Sequence, residues 1–258
     1  MRTLAIILAA WSLAGSAMAI TYMESREPDP FAPGATCTVQ QLGSWGSYVY
    51  QYPSRFDMVF HPFVDDSMIW RCPKSGFVSH AADFEAISPG TRDRVAAWLK
   101  ANPANLERLD AKALRDRMEA IYRERGMDDD FWSRFYRMRA YWSETAAEGD
   151  SHRARALPLL LARLARTDLN PQARLETTYL VGYYTRRGGD AETARKYFAA
   201  MKDVDWSAAN VEEVGSKADN LRYFETMMAD IEAGKLDGPC GQTGHSVPGC
   251  AAGAGAEE

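Results

Sequence analysis

The chain has no excess of positive charge: its 258 residues hold 30 Lys and Arg against 35 Asp and Glu, a formal net charge of -5. A duplex-binding protein needs a basic face to displace condensed counterions, so nucleic acid is not an expected partner. Histidine is scarce, and no two of the four stand at metal-ligand spacing. There is no phosphate loop, dinucleotide fingerprint or zinc-protease helix, and Gly43-Ser44-Trp45-Gly46-Ser47 lacks the spacing of a nucleophile elbow. No cofactor is therefore expected. After Leu13 no apolar run is long enough to span a bilayer. With 46% hydrophobic and 25% charged residues, the composition also excludes collagen-like, disordered and disulfide-knot classes, and the length suits one or two domains with real cores.

What is present begins with a leader. Arg2 gives a positive start, Leu4 to Leu13 form an apolar run too short to cross a bilayer, and Ala17-Met18-Ala19 offers small residues for cleavage. Residues 1–19 read as a signal peptide, which makes the protein periplasmic or secreted, with no stable membrane insertion after cleavage. Export into an oxidising compartment favours disulfides among Cys37, Cys72, Cys240 and Cys250. Four cysteines allow three pairings, and Cys240 with Cys250 could close a small loop of their own.

The remaining chain divides by texture into an α+β protein that is mostly α. Residues 20–36 carry Pro28, Pro30, Pro33 and Gly34 without periodicity and read as an extended lead-in. Residues 37–84 are rich in β-formers such as Tyr48, Val49, Val59, Ile69 and Trp70, punctuated by Pro53, Pro62 and Pro73, which predicts a small β module. Residues 88–234 turn helical. Ser88-Pro89, Asp110, Asp128, Asn170-Pro171 and Asp190 are start signals, while Gly126 and Gly188-Gly189 are stops. The Asp128-Asp129-Asp130 run fits the positive end of a helix dipole better than a cation site. A helix is expected from Ser151 to about Arg166 with Pro158 kinking or restarting it, and a last one from about Ser216 to Ala233, with Met227 and Met228 as core filler. Gly149-Asp150 and Gly189-Asp190, 40 residues apart, read as the same punctuation between paired helices and suggest a repeat. Residues 235–258 read as a flexible Gly/Ala-rich tail.

Two patterns carry a family likeness. Val181-Gly182, Gly189, Ala194 and Phe198 resemble the Leu-Gly pair, turn, small packing position and aromatic of one tetratricopeptide repeat, although Thr178 stands where that repeat carries Trp. Cys37-Thr38-Val39-Gln40 and Cys72-Pro73-Lys74-Ser75-Gly76-Phe77, with Asp83-Phe84 after them, resemble the paired Cys-x2-Cys knuckles of an uncharacterised bacterial domain-of-unknown-function family. In that family the knuckles imply a zinc ribbon followed by tetratricopeptide-like helices. Here Gln40 and Ser75 replace the second cysteine of each knuckle, and neither is a usual zinc ligand. The resemblance then implies a degenerate ribbon in which a Cys37–Cys72 disulfide stands in for the metal.

Tetratricopeptide arrays line a concave groove with the first helix of each hairpin. By that likeness the groove would comprise Glu176, Tyr179, Tyr183, Arg186 and Arg187, and, 40 residues earlier, Tyr136 and Arg139. Tyr and Arg anchor peptide partners and read carboxylates, so a protein or peptide of the cell envelope is the expected partner. The same spacing also fits packed tyrosines beside solvated arginines. The competing reading is an envelope hydrolase or metal-dependent enzyme with a site between sheet and helices at His61, Asp65 and His80.

Overall fold

The computed structural model describes residues 21–44, 56–59, 68–85, 87–143, 145–207 and 211–233. The expected signal peptide and tail, with His61, Asp65, Cys240 and Cys250, lie outside the described residues. Four strands, β1 (Thr21–Pro28), β2 (Thr36–Ser44), β3 (Ile69–Cys72) and β4 (Phe77–His80), form an antiparallel sheet in the order of the chain. Seven α-helices follow: α1 (Pro89–Ala101), α2 (Ala111–Arg125), α3 (Asp129–Trp142), α4 (Ala146–Leu164), α5 (Pro171–Arg187), α6 (Ala191–Ala200) and α7 (Val211–Glu232). The expected order of a small β module and a helical array is what the protein has.

The lead-in is a correction. Residues 21–28 form an edge strand that pairs along its length with β2, placing Glu27 opposite Cys37 and Ser25 opposite Val39. The prolines mark the turn that follows. Asp29 closes it, with its carbonyl-paired N–H on Ala35 and its Oδ1 accepting the N–H of Phe31. Its Oδ2 accepts the N–H of Ser75 in the β3–β4 turn, so this turn and that one are stitched together.

Cys37 and Cys72 form a disulfide, with Cα atoms 4.4 Å apart and a sequence separation of 35. Ser75, standing where a knuckle would carry its second thiolate, accepts the N–H of Phe77 and closes the hairpin with an ordinary hydrogen bond. Phe77 is buried and meets Phe31 and Phe84, so covalent bond and aromatic packing hold the same corner.

The sheet docks on α2 through Tyr122. Its hydroxyl accepts the N–H of His80 at 2.9 Å and donates to Asp83 Oδ2 at 2.9 Å, and Arg125 reaches Ser79 Oγ and the Asp83 carbonyl. Helix starts follow the sequence signals: Asp110, Asp128, Asn170 and Asp190 each accept an N–H of their own first turn. Gly126 ends α2 in the left-handed conformation, at φ 67°.

Gly149-Asp150 does not separate two helices. Thr145 caps α4 so that it starts at Ala146, five residues earlier than expected, the helix runs through Gly149, and Pro158 lies within it without ending it. The exact 40-residue punctuation therefore fails, yet the hairpins survive: α3 packs on α4 and α5 on α6. In the second hairpin, a Cβ at Gly182 would come within 2.6 Å of Phe198 Cε1, so the Gly–aromatic contact sets how closely α5 and α6 approach. Phe224, Met227 and Ile231 of α7 cover the far side of this hairpin, with Phe224 against Tyr179.

Candidate functional site

The face assigned to a partner is largely interior. Tyr179 and Tyr183 are fully buried; Tyr179 packs on Tyr183, Phe198 and Phe224. Tyr136 and Arg139 are buried as well. Arg187 is mostly covered and paired to Asp150, with Nη2 at 2.6 Å from Oδ1, and Glu176 pairs with Arg137 at 3.3 Å. Of the assigned set only Arg186 stands exposed. The open Tyr/Arg groove is thus a correction, and its cause is that α5 is enclosed by α4, α6, α7 and a piece of the β2–β3 connection.

That piece, Phe56–Val59, is the unexpected occupant. Asp57 is 5% exposed although it lies far from the helices in sequence. Arg153 of α4 donates Nε to Asp57 Oδ1 and Nη2 to Oδ2, both at 3.0 Å, a fork-on-fork grip. Tyr184 of α5 donates its hydroxyl to Oδ1 at 2.7 Å, and Arg137 of α3 donates Nη1 to the Asp57 carbonyl at 3.3 Å. Phe56 lies against the Tyr183 ring, with centroids 6.0 Å apart, and Val59 is buried. Met58 sits at φ 52°, a left-handed conformation that costs a side-chain-bearing residue about 1 kcal/mol or more.

The electrostatics suit a bound anion. Burial alone would pull the Arg153 guanidinium down, but the charge and hydrogen bonds of Asp57 outweigh it and hold Arg153 well above the ordinary arginine value. Burial, then the Asp57 charge, pushes Tyr184 up, so its hydroxyl stays a donor. Burial does the same to Tyr183. Two buried donors of this cluster, Tyr183 Oη and Arg137 Nε, make no hydrogen bond among the described residues.

A second polar cluster lies between α2, α3 and α4. Glu119 accepts from Arg123, Arg139 and Arg155, and Asp116 accepts from Arg139 and Lys112. Burial raises Glu119, yet the hydrogen bonds from Arg155 and Arg123 dominate and leave it below its ordinary value. Tyr136 is part of this cluster, with Arg155 over its ring and on its hydroxyl. His152 stacks on Tyr136; burial first, then Arg139 and Arg155, push its pKa down to about 4.

His80 is not a free ligand. Its Nδ1 accepts the N–H of Ala82 and caps the turn Ala81–Asp83, and its backbone is bound to Tyr122. Asp29, Cys37 and Cys72 bring ligand-type atoms within 4.8 Å of one another, but the two sulfurs are bonded to each other and the Asp29 oxygens serve backbone amides. A cleft of about 320 Å³ beside the β3–β4 turn offers only the exposed amines of Lys74 and Lys100 as charges.

No motif marks Asp57, Arg137, Arg153 or Tyr184, and one sequence signal points to Arg153. It falls on the apolar stripe of its own helix, in register with Gly149, Ala156 and Leu160, where an arginine needs a buried anion. Comparison with protein-family models, characterised proteins and solved structures finds no match to this chain. No helix among the described residues is long and apolar enough to cross a membrane, and the disulfide is compatible with an oxidising compartment.

Proposed function

We propose that the chain is an exported, non-catalytic scaffold of the bacterial cell envelope that holds a protein or peptide partner. The single observation that carries this reading is the Asp57 grip. Three helices of a tetratricopeptide-like array converge two arginines and a tyrosine on the carboxylate and carbonyl of a short chain segment, with an aromatic neighbour packed on Tyr183. That is how helical arrays read acidic peptides: charge-assisted bonds give orientation and aromatic burial gives affinity. The leader-like residues 1–19 and the Cys37–Cys72 bond support export, and the degenerate knuckles support the likeness to the domain-of-unknown-function family in architecture.

Of the hydrolase or metal-enzyme set, His80 is committed to a cap, while His61 and Asp65 lie outside the described residues. The test is photo-crosslinking in the living cell. A crosslinker at Ser151 or Arg186, the exposed neighbours of Arg153 and Arg187, should give one discrete adduct with another envelope protein. The same group at Lys100 of α1 should not. Absence of an adduct at both helix positions, or retention of the protein in the cytoplasm, contradicts the proposal.

A further inference from the structure

We infer that Phe56–Val59 is an intramolecular occupant of the partner site, and that the partner is a peptide turn presenting an aromatic residue followed by an aspartate, which binds by displacing it. This rests on the scaffold reading above and adds the ligand chemistry and the means of regulation.

Three observations point the same way. First, the contacts at Asp57 are those of a ligand in a receptor: bidentate guanidinium, phenol hydroxyl and a guanidinium on the backbone carbonyl, all supplied by helices remote in sequence. Second, the segment fits imperfectly. Met58 is held at φ 52°, and Tyr183 Oη and Arg137 Nε stay buried without a hydrogen-bond partner among the described residues. A ligand with Gly after its aspartate avoids the first cost, and one with a further acceptor satisfies the second. Third, the site keeps a polar margin: Asp150, which shares Arg153 and holds Arg187, is two-fifths exposed, so an incoming chain can meet this edge before the buried carboxylate is exchanged.

A self-occupied site weakens every external ligand in proportion to its occupancy. If the segment sits in place in about 99% of molecules, apparent affinity falls about 100-fold. The probe is a synthetic peptide of residues 54–61, Ser-Arg-Phe-Asp-Met-Val-Phe-His, fluorescently labelled and titrated against the full chain. Wild type should bind it at least ~10-fold more weakly than a Phe56→Ala, Asp57→Ala variant whose own segment no longer competes. The same peptide with Asp replaced by Asn should lose binding to both, and with Met replaced by Gly it should bind the variant more tightly.

Removing Asp57 leaves the buried Arg153 with Asp150 as its one remaining carboxylate among the described residues. Should that variant not fold, Phe56→Ala with Val59→Ser keeps the charge pair while removing the apolar anchors, and it should also bind the peptide more tightly than wild type. Equal affinity of wild type and folded variant, or equal affinity for the Asp and Asn peptides, overturns the proposal, as does the absence of binding to any folded variant. A cell-envelope adduct at Arg186 that forms equally in wild type and variant would leave the scaffold standing and remove self-occupancy alone.

Discussion

Asp57 and Glu119 are two carboxylates held by arginines inside one helical array, and they differ in where they come from. Glu119 sits on α2 and is bound by Arg123 of its own helix and by Arg139 and Arg155 of the next two. Its partners are neighbours in both sequence and space, so the pair forms as the helices pack. Asp57 arrives from the β2–β3 connection, nearly a hundred residues before Arg153. The first cluster wires helices to one another; the second binds a segment from outside the helices. Buried ion pairs do not by themselves signal function, because desolvation offsets most of their attraction. Provenance of the anion is what separates a staple from a receptor.

The sharpest way to test that difference is to remove each carboxylate. Glu119→Ala removes the acceptor shared by Arg123, Arg139 and Arg155 and leaves the buried Arg139 with Asp116 alone, which should cost about 3–4 kcal/mol in urea denaturation. Asp57→Ala should cost less, about 1–3 kcal/mol, because its segment can leave and let water reach Arg153. Equal losses would make Asp57 a second staple. The sheet provides the next contrast. Reducing Cys37–Cys72, which spans 35 residues, should cost about 3–4 kcal/mol by chain-entropy arguments and expose β2 and β3 amides to hydrogen exchange before those of α5.

Acid should act through the Glu119 cluster. His152 is buried against Tyr136, its Nε2 lies 4.0 Å from Glu148, and its pKa is depressed to about 4 from an unfolded value near 6.5. The unfolded chain therefore binds the extra proton first. The stabilising contribution is complete above about pH 6.5 and is lost as pH falls to about 4, in all about 3 kcal/mol. Asp116 and Glu119, both depressed, add losses of the same sign at lower pH. His152→Gln should flatten denaturation midpoints between pH 6.5 and 4; an unchanged slope would show that His152 is not the group responsible.

The smallest effects separate two adjacent arginines. Arg187→Ala breaks the contact with Asp150 and should lower stability by about 1 kcal/mol, whereas Arg186→Ala, exposed, should change it by less than about 0.5 kcal/mol. A larger loss for Arg186 would mean that the outer face of α5 is packed.

Helix starts were legible because a capping side chain acts within four residues of itself, as at Asp110, Asp128, Asn170 and Asp190. The disulfide was legible through the knuckle likeness. β1 was not, since Thr-Tyr-Met-Glu-Ser-Arg-Glu-Pro is polar, as an edge strand can be, and Met23 is 59% exposed. Gly149 reads as punctuation because a buried helical glycine and a turn glycine look alike in sequence. The face of α5 is not legible in the sequence for a deeper reason. Residues 177–184 are buried all the way round, and periodicity cannot choose a face when every face is covered. The Asp57 site was illegible because it depends on long-range contacts between side chains that no local pattern joins.

Hydrogen exchange on the intact wild-type chain, with and without saturating 54–61 peptide, tests displacement most directly. The amides of Phe56 to Val59 should lose protection when peptide is added, while those around Glu119 on α2 remain unchanged. Full protection of Phe56 to Val59 at peptide saturation would contradict a receptor that exchanges its own segment for a partner's.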